Sequence, residues 1–182
     1  PNGPMLGNLT ALSTKGVDVR ILTNSAASTN HGVVHAYYSK YRKQLLSANI
    51  ELYEVQGTGA LAAYLDRVGE DAHAGLHTKA MVVDERLSVI GSYNMDPRSR
   101  VWNSEIALVV DDANFAAEVL QEMERDFSPE AAWRLSLDEK ESVVWTGESE
   151  GAETQFHRDP GSTWWDRLVW GIFRILPLEN EL

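Results

Sequence analysis

The feature that most constrains the fold is a strand–helix–strand pattern between residues 17 and 55. Residues 17–23 (VDVRILT) alternate apolar and polar side chains, which is typical of a half-buried strand. A small polar stretch, residues 24–30 (NSAASTN), follows, and apolar side chains then recur at helical spacing over residues 31–47. Residues 50–55 (IELYEV) predict a second strand. Because βαβ units build parallel sheets covered by helices, the pattern predicts an α/β domain.

The segments around this unit add further strands and helices. Leu6, Leu9 and Leu12 predict a helix that ends at Gly16. The later segments, in chain order, are two paired strands (76–83 and 87–92), a buried strand (106–110), an amphipathic helix (113–127), two short strands (133–137 and 142–146), an exposed polar linker (147–162) and an apolar helix (163–176). The linker is predicted from its Gly, Glu and Pro content, and the others from their apolar periodicity.

Composition narrows the classes of function. The chain has 182 residues, with 27 acidic and 16 basic side chains and a net charge of −11. Nucleic-acid binders usually present a basic surface to the phosphates, so a nucleic-acid partner is not expected. The absence of cysteine excludes disulfides and thiolate metal sites. No apolar run reaches the roughly 18 residues that a membrane-spanning helix needs.

Polar side chains able to bind a phosphate are concentrated between residues 77 and 105. His77 and Lys79, and likewise Ser92 and Asn94, are two residues apart, so each pair lies on one face of a strand. Lys79 offers a positive charge, Asn94 an amide, and Ser92 a hydroxyl and a backbone N–H. His77 is the side chain suited to act as a nucleophile or proton carrier, and Glu105 can accept its second ring N–H. Together they predict a phosphate site.

Each of these residues also has a purely structural explanation. His77 and Lys79 alone are typical of a solvated strand surface, and Ser92 and Asn94 alone suit a turn. Asp84 suits a hairpin turn, and Glu105 a surface ion pair. Their coincidence on compatible faces is what favours a functional site.

The spacing of these residues resembles a known signature. His77-x-Lys79-x4-Asp84-x6-Gly91-Ser92-x-Asn94 is similar to the HxK(x)4D(x)6GSxN motif of the phospholipase D superfamily. Further stretches resemble its bacterial cardiolipin synthase C branch. They are residues 22–25 (LTNS), 51–54 (ELYE), 94–99 (NMDPRS), 103–105 (NSE) and 176–179 (LPLE), together with His35 and the pair Tyr41-Arg42.

The resemblance implies an α/β fold, a phospholipase D-like half with a mixed β-sheet and helices on both faces. It implies a phosphatidyltransferase of the cardiolipin synthase type, in which His77 attacks phosphorus to form a phosphohistidine. Lys79, Ser92 and Asn94 then bind the phosphoryl oxygens, and Glu105 orients His77. The remaining motif positions, Asp84 and Gly91, are structural. No cofactor or metal is required.

The chain departs from the family in holding a single motif, because none of its other histidines is followed by Lys two positions later. The family uses two facing motifs, the second supplying the general acid. The expected partner is therefore a missing amino-terminal half or a second copy of the chain. The start inside an apparent helix and the family-like tail favour truncation. The chain alone is expected to be weakly active or inactive. Alternatives are a homodimeric phosphodiesterase or nuclease, and a non-catalytic phosphate- or lipid-binding fragment.

These implications divide the chain into a catalytic domain (1–146), an exposed linker (147–162) and an amphipathic carboxy-terminal helix with a tail (163–182). The helix carries an apolar stripe that either packs on the domain or meets a membrane. The stripe consists of Trp164, Trp165, Leu168, Val169, Ile172, Phe173 and Leu176. Paired tryptophans are typical of a membrane interface. The resemblance implies a phospholipid substrate and a peripheral location on the cytoplasmic face of the bacterial inner membrane.

Five other polar residues allow more than one interpretation. His31 and His35 have the i, i+4 spacing of zinc sites, but one solvent-exposed and one packed histidine is the simpler interpretation. The resemblance implies that His35 and Arg42 lie near the substrate entrance. Asn24 and Ser25 stand at a strand end, where α/β sites gather, and are expected to shape the loop.

Overall fold

The computed structural model describes residues 3–29, 32–57 and 75–173. The helices are α1 (Gly3–Thr14), α2 (Gly32–Tyr38), α3 (Arg42–Ser47), α4 (Pro97–Val101), α5 (Ala113–Asp126) and α6 (Trp164–Phe173). The strands are β1 (Arg20–Asn24), β2 (Glu51–Val55), β3 (Ala80–Val83), β4 (Leu87–Gly91), β5 (Ala107–Asp111), β6 (Ala132–Leu137), β7 (Val143–Ser149) and β8 (Ala152–Phe156). The predicted α/β class is confirmed.

A five-stranded mixed sheet forms the larger layer, in the order β1-β2-β6-β7-β8. β1 and β2 are parallel, as the βαβ pattern predicts, and the other pairs are antiparallel. The helix predicted over residues 31–47 is instead two helices, α2 and α3. The hydroxyl of Ser39 donates to the carbonyl of Ala36 at the break, and side-chain bonds of this kind compete with helix continuation.

The main core lies between this sheet and the helices α1 and α3. It consists of Leu6, Leu45, Ile50, Leu52, Trp133, Leu135 and Trp145. Leu52 in β2 is fully buried, and it pairs in register with Leu135 of β6. Alternate residues of these strands therefore share one buried face, which is apolar except for Glu54.

A separate three-stranded antiparallel sheet has the order β3-β4-β5 and packs on α5. Residues 106–110 were predicted as a buried strand, but in β5 the exposed fractions of Leu108 and Val109 are 60% and 58%. An apolar run identifies a strand without specifying what covers it. β5 is an edge strand, and its two faces are only partly covered by the described residues.

Residues 147–162 differ from the predicted linker. They complete β7, form β8 at the sheet edge and end with the nearly buried carboxylate of Asp159. That carboxylate pairs with Arg42 at 2.6 Å and with His35 at 3.0 Å. The segment is polar because several of its side chains face solvent, yet its backbone belongs to the sheet.

Arg42 lies at the centre of a buried polar network. Its guanidinium donates to both carboxylate oxygens of Glu54, at 2.7 and 2.9 Å, and to Asp159. Tyr38 and Trp145 also donate to Glu54, which is fully buried. The expectation that His35 and Arg42 lie near the substrate entrance is therefore not met. Both are interior residues, 2% and 4% exposed, and His31 lies outside the described residues.

Helix α6 buries Trp170 and exposes the other side. The indole of Trp170 packs on the ring of His35, with 4.8 Å between centroids. The residues exposed by 42–59% are Trp164, Trp165, Leu168, Val169 and Ile172. The described part of the apolar stripe predicted from the sequence thus faces outward except at Phe173, which is half-buried, while Leu176 lies outside the described residues. Within the described ranges, no helix is long and apolar enough to cross a membrane.

Candidate active site

The residues singled out by the motif meet at one edge of the three-stranded sheet. His77 and Lys79 lie in an irregular segment before β3, rather than in the longer strand predicted over residues 76–83. Ser92 and Asn94 follow β4, and Glu105 precedes β5. Antiparallel pairing brings the start of β3, the end of β4 and the start of β5 to the same edge.

An open cleft of about 760 Å³ occupies this edge. Its walls are made by His77, Lys79, Gly91, Ser92, Asn94, Trp102, Asn103, Ser104, Glu105 and Ile106. The structure therefore brings together all five polar residues that the sequence predicts for the site. His77, Ser92 and Asn94 are exposed, and Lys79 and Glu105 are half-buried.

Gly91 is required by the close approach of two strands. A Cβ at this position would stand 2.2 Å from the carbonyl oxygen of Ile106 and 2.9 Å from Cα of Ala107. β4 and β5 are thus in near contact where the cleft begins. Any side chain at Gly91 would separate Ser92 from Glu105.

Ser92 and Glu105 form one hydrogen-bonded unit. The Ser92 hydroxyl donates a short hydrogen bond to Glu105, and it accepts the backbone N–H of Ile106 at 3.1 Å. The Ser92 backbone N–H donates to the carbonyl of Ile106 at 2.9 Å. Both groups that the sequence assigns to phosphate binding are thus engaged in holding the edge of the sheet. The second oxygen of Glu105 accepts from Asn103 at 3.2 Å.

The environment of Glu105 favours its charged form. The hydrogen bond from Ser92, with smaller contributions that include the charge of Lys79, lowers the pKa of Glu105 below its ordinary value. Within the described residues no hydrogen bond joins Glu105 to His77. Its orienting role therefore stays a prediction.

The Lys79 ammonium donates to the backbone carbonyl of His77 at 2.7 Å. One of its three donors is used in this way, so the charge is held beside the main chain of His77. The side chain of Asn94 makes no hydrogen bond to the described residues. Its backbone is fixed by the following turn, since Asp96 donates its N–H to the Asn94 carbonyl at 2.8 Å and caps α4 through Ser99. The Asn94 amide is therefore available to a ligand.

Asp84 lies at the opposite end of the β3–β4 hairpin from the cleft. Asp84 and Glu85 have φ of 51° and 53°, and Arg86 donates its N–H to Val83 at 3.1 Å. Two successive positive φ values identify a turn that suits the twist of a hairpin, and Asp tolerates that conformation. Asp84 is placed as a turn residue.

Sequence reasoning did not select four residues of the cleft wall. They are Trp102, Asn103, Ser104 and Ile106. Trp102 is 76% exposed, and a tryptophan so close to the motif was a usable signal. Among the described residues, no group of three or more acidic or histidine side chains is placed to hold a metal ion.

Comparison with known proteins places this site in a family. The family described as "Cardiolipin synthase, PLD-like domain" matches residues 1–127, which is more than half of the chain. The chain belongs to this phospholipase D-like family. Cardiolipin synthases among its relatives support the enzyme class in general.

Named relatives extend the likeness over nearly the whole chain. The chain is 33% identical to cardiolipin synthase C of Escherichia coli over 181 residues, covering 98% of this chain and 38% of that protein. It is 31% identical to an uncharacterized protein of Helicobacter pylori, covering 93% of this chain and 32% of the relative. It is 31% identical to cardiolipin synthase A of Cronobacter sakazakii, covering 70% and 22%. The chain thus spans less than two fifths of these relatives.

Among solved structures, the chain is similar to Nuc, a phospholipase D family member of Salmonella typhimurium. The TM-score is 0.48 and the sequence identity is 17%, over 71% of this chain and 72% of that one.

Proposed function

We propose that the chain carries one half-site of a phospholipase D-type phosphatidyltransferase, which moves a phosphatidyl group from one alcohol to another. The observation that carries the proposal is the gathering of His77, Lys79, Asn94 and the Ser92–Glu105 unit around one open cleft. A cation, an uncommitted amide and an exposed imidazole are the groups that a phosphodiester requires.

In the proposed reaction, a ring nitrogen of His77 attacks the phosphorus of a phospholipid. A P–N bond forms, and the P–O bond to the leaving alcohol breaks. The leaving alkoxide takes a proton from a general acid outside the described cleft. The accepting alcohol then gives its proton to the same group and attacks phosphorus, which breaks the P–N bond and restores His77.

Lys79 and Asn94 are proposed to bind the phosphoryl oxygens throughout. The ammonium has donors left after its bond to the His77 carbonyl, and the Asn94 amide has two. Ser92 is proposed to act through Glu105, because its hydroxyl already donates to that carboxylate. A carboxylate accepts about four hydrogen bonds, so Glu105 retains capacity to orient the His77 ring.

The general acid is proposed to come from a second copy of the motif. That copy would belong to another part of a longer polypeptide or to a second copy of this chain. Two observations support this. The relatives are far longer than the chain, and apolar side chains beside the cleft lack cover from the described residues. Trp102, Ile106 and Leu108 are 76%, 77% and 60% exposed.

The proposed substrate is a phospholipid taken from a membrane surface, on the cytoplasmic face of the bacterial inner membrane. Helix α6 supports this location. Trp164 and Trp165, each 59% exposed, stack with 4.0 Å between centroids at the start of the stripe. Indoles favour the headgroup level of a bilayer. The peripheral mode fits an amphipathic helix that lies in the interface.

The test is to trap the covalent intermediate. The protein is incubated with phosphatidylglycerol carrying a radioactive phosphate, denatured, and digested for peptide mapping. We expect an acid-labile label on the peptide that contains His77. His77→Asn removes the label, whereas His157→Asn, an exposed histidine outside the cleft, retains it.

Two results would overturn the proposal. One is an equal label in wild type and His77→Asn. The other is faster turnover of a DNA oligonucleotide than of phosphatidylglycerol, weakened by salt, since that behaviour is typical of a nuclease.

A further inference from the structure

The side chain of Asn24, from the five-stranded sheet, forms two hydrogen bonds with the backbone of Leu76, the residue that precedes His77. The backbone N–H of Leu76 donates to Oδ1 of Asn24 at 2.7 Å, and Nδ2 of Asn24 donates to the Leu76 carbonyl at 2.8 Å. Two facing residues of antiparallel strands exchange the same pair of bonds. Here a single amide side chain takes the place of the second strand.

The Asn24 amide is itself held in one orientation. Asn24 is the last residue of β1, in register with Val55 of β2. The hydroxyl of Ser28, which is 4% exposed, donates to Oδ1 of Asn24 at 3.0 Å. Ser25 accepts the N–H groups of Ala27 and Ser28, which closes the loop behind it. Since Oδ1 receives two donors, Nδ2 must face the Leu76 carbonyl.

These two hydrogen bonds affect the placement of His77. The carbonyl of Leu76 belongs to the peptide unit that leads into His77, so fixing it limits how the His77 side chain leaves the main chain. His77 precedes β3 and is outside both sheets. Its own carbonyl is held by Lys79. The main chain at His77 is thus held on both sides, by Asn24 before it and by Lys79 after it.

We infer that Asn24 is a positioning residue for His77, acting through the Leu76 backbone and never touching the substrate. The inference rests on the proposed role of His77 as the nucleophile. It assigns Asn24 a function beyond shaping its loop. A displacement of about 1 Å at a reacting group costs on the order of 10²-fold in rate.

The test compares Asn24→Ala with a matched control in the form of the protein that shows His77-dependent turnover. Asn24→Ala is expected to lower kcat by about 10- to 100-fold with KM within about threefold, because the ligand-binding groups Lys79 and Asn94 remain. Asn24→Asp keeps the acceptor for the Leu76 N–H but loses the donor, so its kcat is also expected to fall by at least about tenfold.

Gln56→Ala is the matched control. The Gln56 amide, 4% exposed, donates to two backbone carbonyls, Pro129 at 2.7 Å and Glu148 at 3.0 Å, away from the cleft. The substitution Gln56→Ala removes the same number of hydrogen bonds between side chain and backbone as Asn24→Ala does. A comparable fall in Tm is expected, with kcat within about twofold of wild type.

Hydrogen exchange at the Leu76 amide gives a readout independent of turnover. Protection in wild type should be lost in Asn24→Ala and kept in Gln56→Ala. Unchanged Leu76 exchange, or lost protection with kcat within twofold of wild type, would overturn the inference. If Asn24→Ala does not fold, the kcat of Asn24→Asp decides, because this variant keeps the acceptor for the Leu76 N–H and its Leu76 exchange is not expected to change. A kcat of Asn24→Asp within twofold of wild type would then overturn the inference. His77→Asn separates the two claims. Activity that persists in His77→Asn refutes the proposed function. If His77→Asn is inactive but the Asn24 variants keep the wild-type kcat, only the positioning role is refuted.

Discussion

The buried carboxylate of Glu54 offers the sharpest test of what holds the larger sheet to its helices. Its two oxygens accept four hydrogen bonds, from Nε and an Nη of Arg42, from the Tyr38 hydroxyl and from the Trp145 indole, at 2.7 to 3.0 Å. We consider the substitution Glu54→Gln, which keeps the shape and removes the charge.

Glutamine cannot reproduce this pattern. One carboxylate oxygen becomes an NH2 group, and at either end it would face at least one donor that cannot turn into an acceptor. At one end that donor is Nε of Arg42, and at the other it is the Trp145 indole. The guanidinium of Arg42, 4% exposed, would keep Asp159 as its remaining carboxylate.

Breaking a buried ion pair in this way destabilises a protein by about 3 to 5 kcal/mol. For a chain of this size, each kcal/mol lowers Tm by roughly 2 to 4 °C, so Glu54→Gln should lower Tm by about 6 to 20 °C. Urea unfolding followed by tryptophan fluorescence measures the free energy directly. Glu124→Gln is the control, because Glu124 pairs with Arg20 at the surface, with side chains 52% and 39% exposed.

The control should lose no more than about 1 kcal/mol. If Glu54→Gln and Glu124→Gln lower the free energy of unfolding equally, the buried network does not contribute as a charged unit. The structure would then be held by its apolar core alone.

Three further predictions concern Asp159, Gly91 and the tryptophan pair of α6. Burial opposes ionisation of Asp159, but its hydrogen bond to His35 and the charge of Arg42 outweigh this and lower its pKa. The stability that the charged Asp159 adds should therefore be full above about pH 3.9 and be lost as pH falls below that value. Gly91→Ala should cost at least about 1 to 3 kcal/mol and lower turnover, because its Cβ would meet backbone atoms. Trp164→Ser with Trp165→Ser should weaken binding to phosphatidylglycerol vesicles by about tenfold per residue, with little dependence on salt, because the stripe is uncharged.

Each of these has a result that contradicts it. For Asp159, urea titrations of wild type and Asp159→Asn should converge in acid, and a constant gap from pH 5 to 2.5 would be inconsistent with the lowered pKa. Wild-type stability in Gly91→Ala would mean that β4 and β5 are farther apart. For the stripe, the control Leu12→Ser removes a side chain 43% exposed on α1, and equal losses from both variants would refute a specific contact.

Local patterns in the sequence predict the parts of the fold that local rules determine. The parallel pairing of β1 with β2 follows from the strand–helix–strand pattern, and the hairpin turn at Asp84 follows from its flanking strands. The residues of the predicted phosphate site could be chosen in advance because fixed spacing along adjoining strands places them at one edge. Their hydrogen-bond partners could not, and Ser92 proved to be committed to Glu105.

The predictions that failed depended on distant contacts. Residues 147–162 have a polar composition that local rules assign to solvent, but Asp159 is drawn inward by Arg42, 117 positions earlier. Burying an unpaired charge costs a large free energy, whereas a paired charge can be buried. The local sequence around Asp159 or Arg42 alone therefore predicts the wrong location, because it does not show the partner. β5 shows the converse case, since its apolar residues predict burial and nothing local indicates how much cover they receive.

The same reasoning explains why the sequence assigns Asn24 to the shaping of its loop and not to the site. Its small polar neighbours predict a loop, and that prediction describes the loop accurately. What distinguishes Asn24 is its contact with Leu76, 52 positions later in the chain. The backbone N–H and carbonyl of Leu76 both form hydrogen bonds with the Asn24 side chain. Neither residue carries a sign of the other in its local sequence. The proposed nucleophile, His77, is therefore connected through Leu76 to a residue of the other sheet, and only the tertiary structure shows that connection.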